Sequence, residues 1–165
     1  KLSIIKHWEN KECSIEGGDD WESIIFSNNR FRRNFQRVRD YARLLDTVGI
    51  NALSINNVNV HVLETRLILE ENLPEIKMIN DIFASYGIKT FLSINFASPK
   101  KLGGLDTADP LSEDVQQCWQ GICRNIYRAI PDVGGFVVKA DSEGETGPLA
   151  YGRRQEDGAN RVAKA

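Results

Sequence analysis

Lys139 and Glu143 stand four residues apart in the run GGFVVKADSEGETGP, Gly134 to Pro148. The apolar stretch Phe136-Val137-Val138 leads straight into the lysine, and Gly144 directly follows the glutamate. A lysine at the end of a buried strand can bind an anion or, as a free amine, form a Schiff base. A carboxyl group in the glycine-bounded loop beyond it can give or take a proton. Other polar residues hold the same kind of place after an apolar run: His7-Trp8-Glu9-Asn10, Asn56-Asn57-Val58-Asn59, and Asn95. Asparagines, a tryptophan, a lysine and a carboxylate suit a sugar site, because amides bond hydroxyls in both directions and an indole face packs on C–H bonds. Taken singly, each has a plainer reading. Asn is common in turns, Trp8 packs, His7 is structural, and a Glu in a Gly-rich loop is solvated. Convergence at one end of a fold is what favours chemistry.

The elements that carry these residues repeat. Apolar runs at Leu2–Trp8, Ile50–Asn56, Ile88–Phe96 and Phe136–Ala140 read as strands, the last three preceded by glycine helix stops at Gly49, Gly87 and Gly134-Gly135. They read as apolar on both faces, the mark of a covered parallel sheet. Between them lie helical stripes: Phe31, Phe35, Val38, Ala42, Leu45 and Val48; then Ile76, Ile79, Phe83 and Tyr86, with Pro74 in the first turn; then Val115, Trp119, Ile122 and Ile126, with Ser112 as N-cap. A further helix begins near Glu156. VGINALSIN and YGIKTFLSIN repeat one helix-to-strand junction. This β-α order implies a parallel sheet with right-handed crossovers, as an open doubly wound sheet or a (β/α)8 barrel. No glycine fingerprint follows the first strand, which weighs against dinucleotide binding. The long loops Glu9–Asn29 and Ala97–Leu111 follow strands, which suits a barrel with its site at the C-terminal strand ends. Half a barrel leaves an inner face and two edges uncovered, so further sequence is expected downstream.

Composition sets bounds. Among 165 residues, 41% are hydrophobic and 27% charged, with a net charge of -2, as in a globular chain and not a nucleic-acid binder. The basic run Arg30–Arg43 reads as a solvated helix face, and Lys100 and Lys101 as surface. Cys13, Cys118 and Cys123 have no metal-ligand spacing and read as free thiols. Asp109, before Pro110, reads as a helix cap, and Asp106 belongs to the same loop. No apolar run approaches membrane-spanning length. Sparse cysteines and the lack of an Asn-x-Ser/Thr site favour a cytoplasmic location over a secreted one.

KHWEN…SIE, DYARLLDTVGINALSINNVN, SINFASPKKLGGLDTADPL and PDVGGFVVKADSEGETGP…YGRRQEDGAN together resemble the catalytic region of the α-glucuronidases of glycoside hydrolase family 67. The resemblance covers nearly the whole chain. It implies a TIM barrel, with residues 1–165 as about its first four βα units (a half barrel), a β-sandwich domain before it and a helical domain after it. It implies inverting hydrolysis, without metal or cofactor, of the α-1,2 bond between (4-O-methyl)-glucuronic acid and xylose. The partner is then a glucuronoxylan-derived oligosaccharide, and a homodimer of the full-length protein is compatible with it. By motif, Glu143 matches the general acid and Lys139 a substrate-binding lysine. Trp8 matches a wall of the uronate pocket, and Val58 the residue facing the 4-O-methyl group. The chain departs from the family pattern at Asp141, usually Asn, and after Glu16, where Gly17-Gly18-Asp19 replaces Arg-Gly-Tyr. The family's water-activating carboxylates fall beyond Ala165. Two alternatives stand beside this reading: an inactive sugar-binding fragment, and a Schiff-base lyase using Lys139.

Overall fold

The computed structural model describes residues 2–4, 24–27, 30–56, 60 and 62–165. In chain order the elements begin with strand β1 (Leu2–Ile4), the antiparallel pair β2 (Phe26–Ser27) and β3 (Arg30–Phe31), helix α1 (Gln36–Thr47) and strand β4 (Ala52–Ser54). Helices α2 (Val62–Thr65) and α3 (Leu73–Ala84) lead to strand β5 (Lys89–Asn95). Helices α4 (Ser98–Lys101) and α5 (Glu113–Ala129), strand β6 (Gly135–Lys139) and helix α6 (Gln155–Ala163) complete the series.

Strands β1, β4, β5 and β6 form one parallel sheet in that spatial order. A doubly wound sheet reverses its order at a switch point, and these four strands show no reversal. Two local signals work as read. Gly49 and Gly87, at φ of 73° and 70°, end α1 and α3 in the left-handed conformation that a Cβ penalises. The amides after each helix then bond back across the turn, Ile50 N to Leu45 O at 2.9 Å and Ile88 N to Phe83 O at 3.0 Å. One core cluster joins helix residues Val38, Ile79, Phe83, Trp119 and Ile126 to Leu53, Ile55, Leu92 and Ile94 of the sheet.

The other sheet face departs from the sequence reading. It is not apolar: Ser54, Asn56, Ser93 and Asn95 are all 0% exposed. These polar groups are buried because each has partners. Beyond the end of β4, the Asn56 amide continues the ladder as a peptide would. Its Oδ1 accepts from Ser93 N at 2.6 Å and its Nδ2 donates to Ser93 O at 2.7 Å. The Ser54 and Ser93 hydroxyls bond each other at 2.9 Å. The repeated LSIN is therefore a repeated layer of Ser and Asn under the sheet.

Other boundaries shift for tertiary reasons. Phe31 is not in α1. It lies in β3, where its ring sits 4.6 Å from Phe26 across the strand pair. Val48 lies just past the helix and is 54% exposed. Gly134-Gly135 does not stop α5, which has already ended before Pro131. A Cβ on Gly134 would lie 2.7 Å from the Phe91 ring and 2.9 Å from Thr90 O, so the glycine serves close packing. Ser112 is the N-cap residue of α5 but gives no side-chain cap bond, leaving Glu113 and Asp114 to meet the helix dipole. Cys118 and Cys123 are free thiols whose burial pushes their pKa up. Cys13 lies outside the described residues. Among the described residues, no helix is long and apolar enough to cross a membrane.

The long segment between β5 and α5 is tied down from the far side of β6. Arg153 grips Asp109 with two bonds, Nε to Oδ1 at 3.1 Å and Nη2 to Oδ2 at 2.9 Å. Tyr151 Oη accepts from Ala108 N at 3.0 Å, and Arg161 donates to Pro110 O and to Gln116 Oε1. Asp109 does not cap α5; its Oδ1 instead accepts from Leu111 N at 2.9 Å, before the helix starts. The Arg153 hydrogen bonds hold the Asp109 carboxyl below its ordinary 3.8, against the opposing push of burial.

Two measurements check these networks. Asn56→Ala strands the N–H and C=O of Ser93, each costing about 1–3 kcal/mol unpaired, so urea unfolding should show a loss of about 2–6 kcal/mol. An unchanged midpoint would show that the amide ladder is not stabilising. Asp109→Asn should lower thermal stability at neutral pH. Because the folded pKa is depressed, the wild-type advantage should fade as pH falls below 3.8 and vanish below the lowered folded value. An advantage that persists at that acidity would mean the clamp is not ionic.

Candidate active site

The register pairs Asn95 with Lys139 at the C-terminal ends of β5 and β6, so both side chains rise on the Ser/Asn face of the sheet. Lys139 is 7% exposed. An ammonium this deep needs a charged partner to offset lost hydration. Glu143 supplies one: Lys139 Nζ donates to its Oε2 at 2.7 Å. The pair is lopsided, with the lysine side chain 6% exposed and the glutamate side chain 55%. The cation is fixed in the floor, and the carboxylate reaches it from a loop open to solvent.

That loop is strained. Asp141 and Glu143 have φ of 48° and 52°, a left-handed region costly for any residue with a Cβ. Gly144, at φ 79°, has no such cost. Strained backbone persists where its surroundings over-determine it, and here they do. Asp141 Oδ2 accepts from Leu149 N at 3.1 Å and from Gln155 Nε2 at 2.7 Å. A Cβ on Gly147 would sit 2.3 Å from Asp141 Cγ, so only glycine lets the two segments close. Beneath them, Gly158 of α6 admits the Phe96 ring and the Pro148 ring.

A second carboxylate anchors the far side. Glu145 Oε2 accepts from Asn95 Nδ2 at 2.7 Å and pairs with Lys101. Asn95 is held in turn, its Nδ2 also donating to Val60 O at 2.9 Å and its Oδ1 accepting from Ala97 N at 2.8 Å. Lys101 is therefore not plain surface, and the loop that holds it is not featureless, since α4 lies within it. Glu145 escaped the sequence reading. The signal for it was the alternation D-S-E-G-E, which sets carboxylates at 141, 143 and 145.

The structure thus brings Lys139, Glu143 and Asn95 to one end of the sheet. Trp8, Asn57 and Val58 lie outside the described residues, as do His7, Glu9 and Asn10. Chemically, the arrangement offers an exposed carboxyl group for proton transfer beside a cation that can meet an incoming anion.

The family model described as "Glycosyl hydrolase family 67 middle domain" matches residues 1–165. The chain is 43% identical over 161 residues to "Probable alpha-glucuronidase A" of Aspergillus clavatus. It is 44% identical over 166 residues to "Alpha-glucuronidase A" of Emericella nidulans. Each alignment covers 98% of this chain and 19% of the relative, so the chain spans about a fifth of the length of the curated relatives it matches. Among solved structures, beta-glucosidase 2 from the fungus Trichoderma reesei aligns at a TM-score of 0.49 and 14% identity, over 78% of this chain and 32% of that one. The match along all 165 residues places the chain in glycosyl hydrolase family 67, as its middle domain.

Proposed function

We propose that the intact protein is an inverting α-glucuronidase and that this domain supplies its general acid, Glu143. The relatives' names support the activity. The observation that carries the residue assignment is the Lys139–Glu143 pair, a buried cation and an exposed, strained carboxylate at a strand end. The sheet order supports the wider frame. Four parallel strands in chain order are what the first four units of a (β/α)8 barrel would supply, with the loops after the strands forming the site.

The substrate in this reading carries (4-O-methyl)-glucuronic acid linked α-1,2 to xylose. Glu143 protonates the departing xylose oxygen as the glycosidic bond breaks. A water attacks the opposite face of the sugar and gives its proton to a carboxylate outside these residues, about 6.5–9.5 Å from the acid. While Lys139 touches Glu143 the ionised carboxylate is favoured, and an ionised carboxylate has no proton to give. The uronate of the substrate resolves this by offering Lys139 another anion. By the family resemblance, Trp8 is assigned to the uronate pocket and Val58 to the 4-O-methyl group, with Asn57 as a further substrate-binding candidate. Asn95 acts from the strand end. The Schiff-base alternative meets an obstacle, since in the ion pair Lys139 is an ammonium with no lone pair for attack.

Glu143→Gln in the intact protein tests the assignment. Turnover of xylosyl-linked substrates should fall by about 100- to 10,000-fold, the usual reach of general acid catalysis. An aryl glucuronide with a good leaving group should lose far less, because its oxygen departs without a proton. Equal loss on both substrates would sink the role.

A further inference from the structure

We propose that Glu145 is a positioning residue for Glu143, locking the acid's loop to the end of β5 through Asn95 and Lys101. The inference rests on Glu143 being the acid. It starts from the three alternating carboxylates, which face three different tasks. Asp141 is bound to the segment that follows, at Leu149 N and Gln155 Nε2. Glu145 is bound in the other direction, to Asn95 at 2.7 Å and to Lys101 on α4. Glu143, between them, has a side chain 55% exposed. The outer two carboxylates tether the loop to its neighbours, and the middle one meets Lys139 from the solvent side.

The backbone explains why two tethers are needed. Glu143 at φ 52° is not in a conformation that local preference would select, although Gly144 at φ 79° follows it without cost. The turn bond from Glu145 N to Ser142 O, 3.0 Å, closes the loop on itself but fixes nothing outside it. The Glu145 side chain supplies an outside fix, and it is only 11% exposed. A carboxylate that deep is held wherever its partners are, and Asn95 is locked by Val60 O and Ala97 N. Removing Glu145 takes an acceptor from Asn95, an anion from Lys101, and from the loop its tie to β5. The Asp141 tie remains, so the loop should survive with Glu143 less well placed. Misplacement of about 1 Å can cost about 100-fold in rate. That loss should appear only where the leaving oxygen needs its proton.

The test compares kcat and KM of the intact wild type with Glu143→Gln, Glu145→Ala, Glu145→Gln and Lys101→Ala. Two substrates are used, an aldouronic acid with a xylosyl leaving group and an aryl glucuronide with a good one. The decisive quantity is the ratio of kcat values on the two, which does not depend on the folded fraction. Glu145→Ala should lower that ratio by about 10- to 100-fold with KM nearly unchanged. Glu145→Gln, whose amide oxygen can still accept from Asn95, should recover most of it. Lys101→Ala removes the partly exposed cation that pairs with Glu145 and should lower the ratio a few-fold, so the proposal stays testable even if Glu145→Ala does not fold. A wild-type ratio in the Glu145→Ala and Lys101→Ala variants, with Glu143→Gln inactive on the xylosyl substrate, overturns the positioning role alone. Equal loss on both substrates in Glu143→Gln overturns the acid assignment, and the positioning role with it.

Discussion

The buried ammonium of Lys139 is the constraint on which the site depends. Placed at the end of β6 and on the sheet's polar face, it cannot stay charged without an anion nearby. That requirement draws Glu143 back across the strand end to 2.7 Å, and the chain between them must turn within three residues. The left-handed backbone at Asp141 and Glu143 follows from this tight return. The positive φ of Gly144 continues the same turn, while Gly147 makes room for the Asp141 side chain.

The sheet meets the same demand on a larger scale. Its helix-facing side is Leu and Ile, and this apolar burial drives assembly. Its other side sets Ser54, Asn56, Ser93 and Asn95 beside Phe91 and Val137, and the Ser and Asn bonds add little net energy because each replaces one to water. Their value is geometric. An Asn that bonds the neighbouring strand's N–H and C=O fits only one register, since a slip by one residue would turn it to the wrong face. Asn56 locks β4 to β5, and Asn95 links β5 to the loop that carries Glu143. The polar layer therefore carries precision from the sheet to the loop of Glu143.

Legibility in the sequence divides along the same line. Features set by neighbours in the chain could be read. Gly49 and Gly87 end helices, and the stripes Val38–Ala42–Leu45 and Ile76–Ile79–Phe83 face the core. The parallel order followed from the β-α repeat. Features set by distant partners could not be read. Gly134 looked like a helix stop because its reason, the Phe91 ring, comes 43 positions earlier in the sequence. Asp109 looked like a cap because Arg153 was not yet beside it. The strands looked apolar on both faces because a Ser or Asn shows its burial only once its partner is placed. Lys139 and Glu143 were singled out by motif, and Glu145 was missed because partners such as Asn95 and Lys101 lie on β5 and α4.

Asp141 shows how such a loop tolerates a change of charge. The family pattern has Asn here, and both residues enter the left-handed region more readily than most. The Oδ2 atom of Asp141 only accepts, from a backbone N–H and a Gln amide, and an Asn oxygen can accept the same two bonds. The fold of the loop is therefore indifferent to the exchange, while the electrostatics are not. Glu145 is countered by Lys101, whereas the two donors on Asp141 are neutral. In the proposed reaction, substrate draws Lys139 away from Glu143 and leaves a uronate in its place. Like charge disfavours an ionised carboxylate, so the uronate pushes Glu143 toward the protonated form that an acid requires. The free site, with Lys139 in contact, favours the opposite form. Binding of the correct anion is then what arms the acid, and a neutral sugar of the same shape would leave it paired.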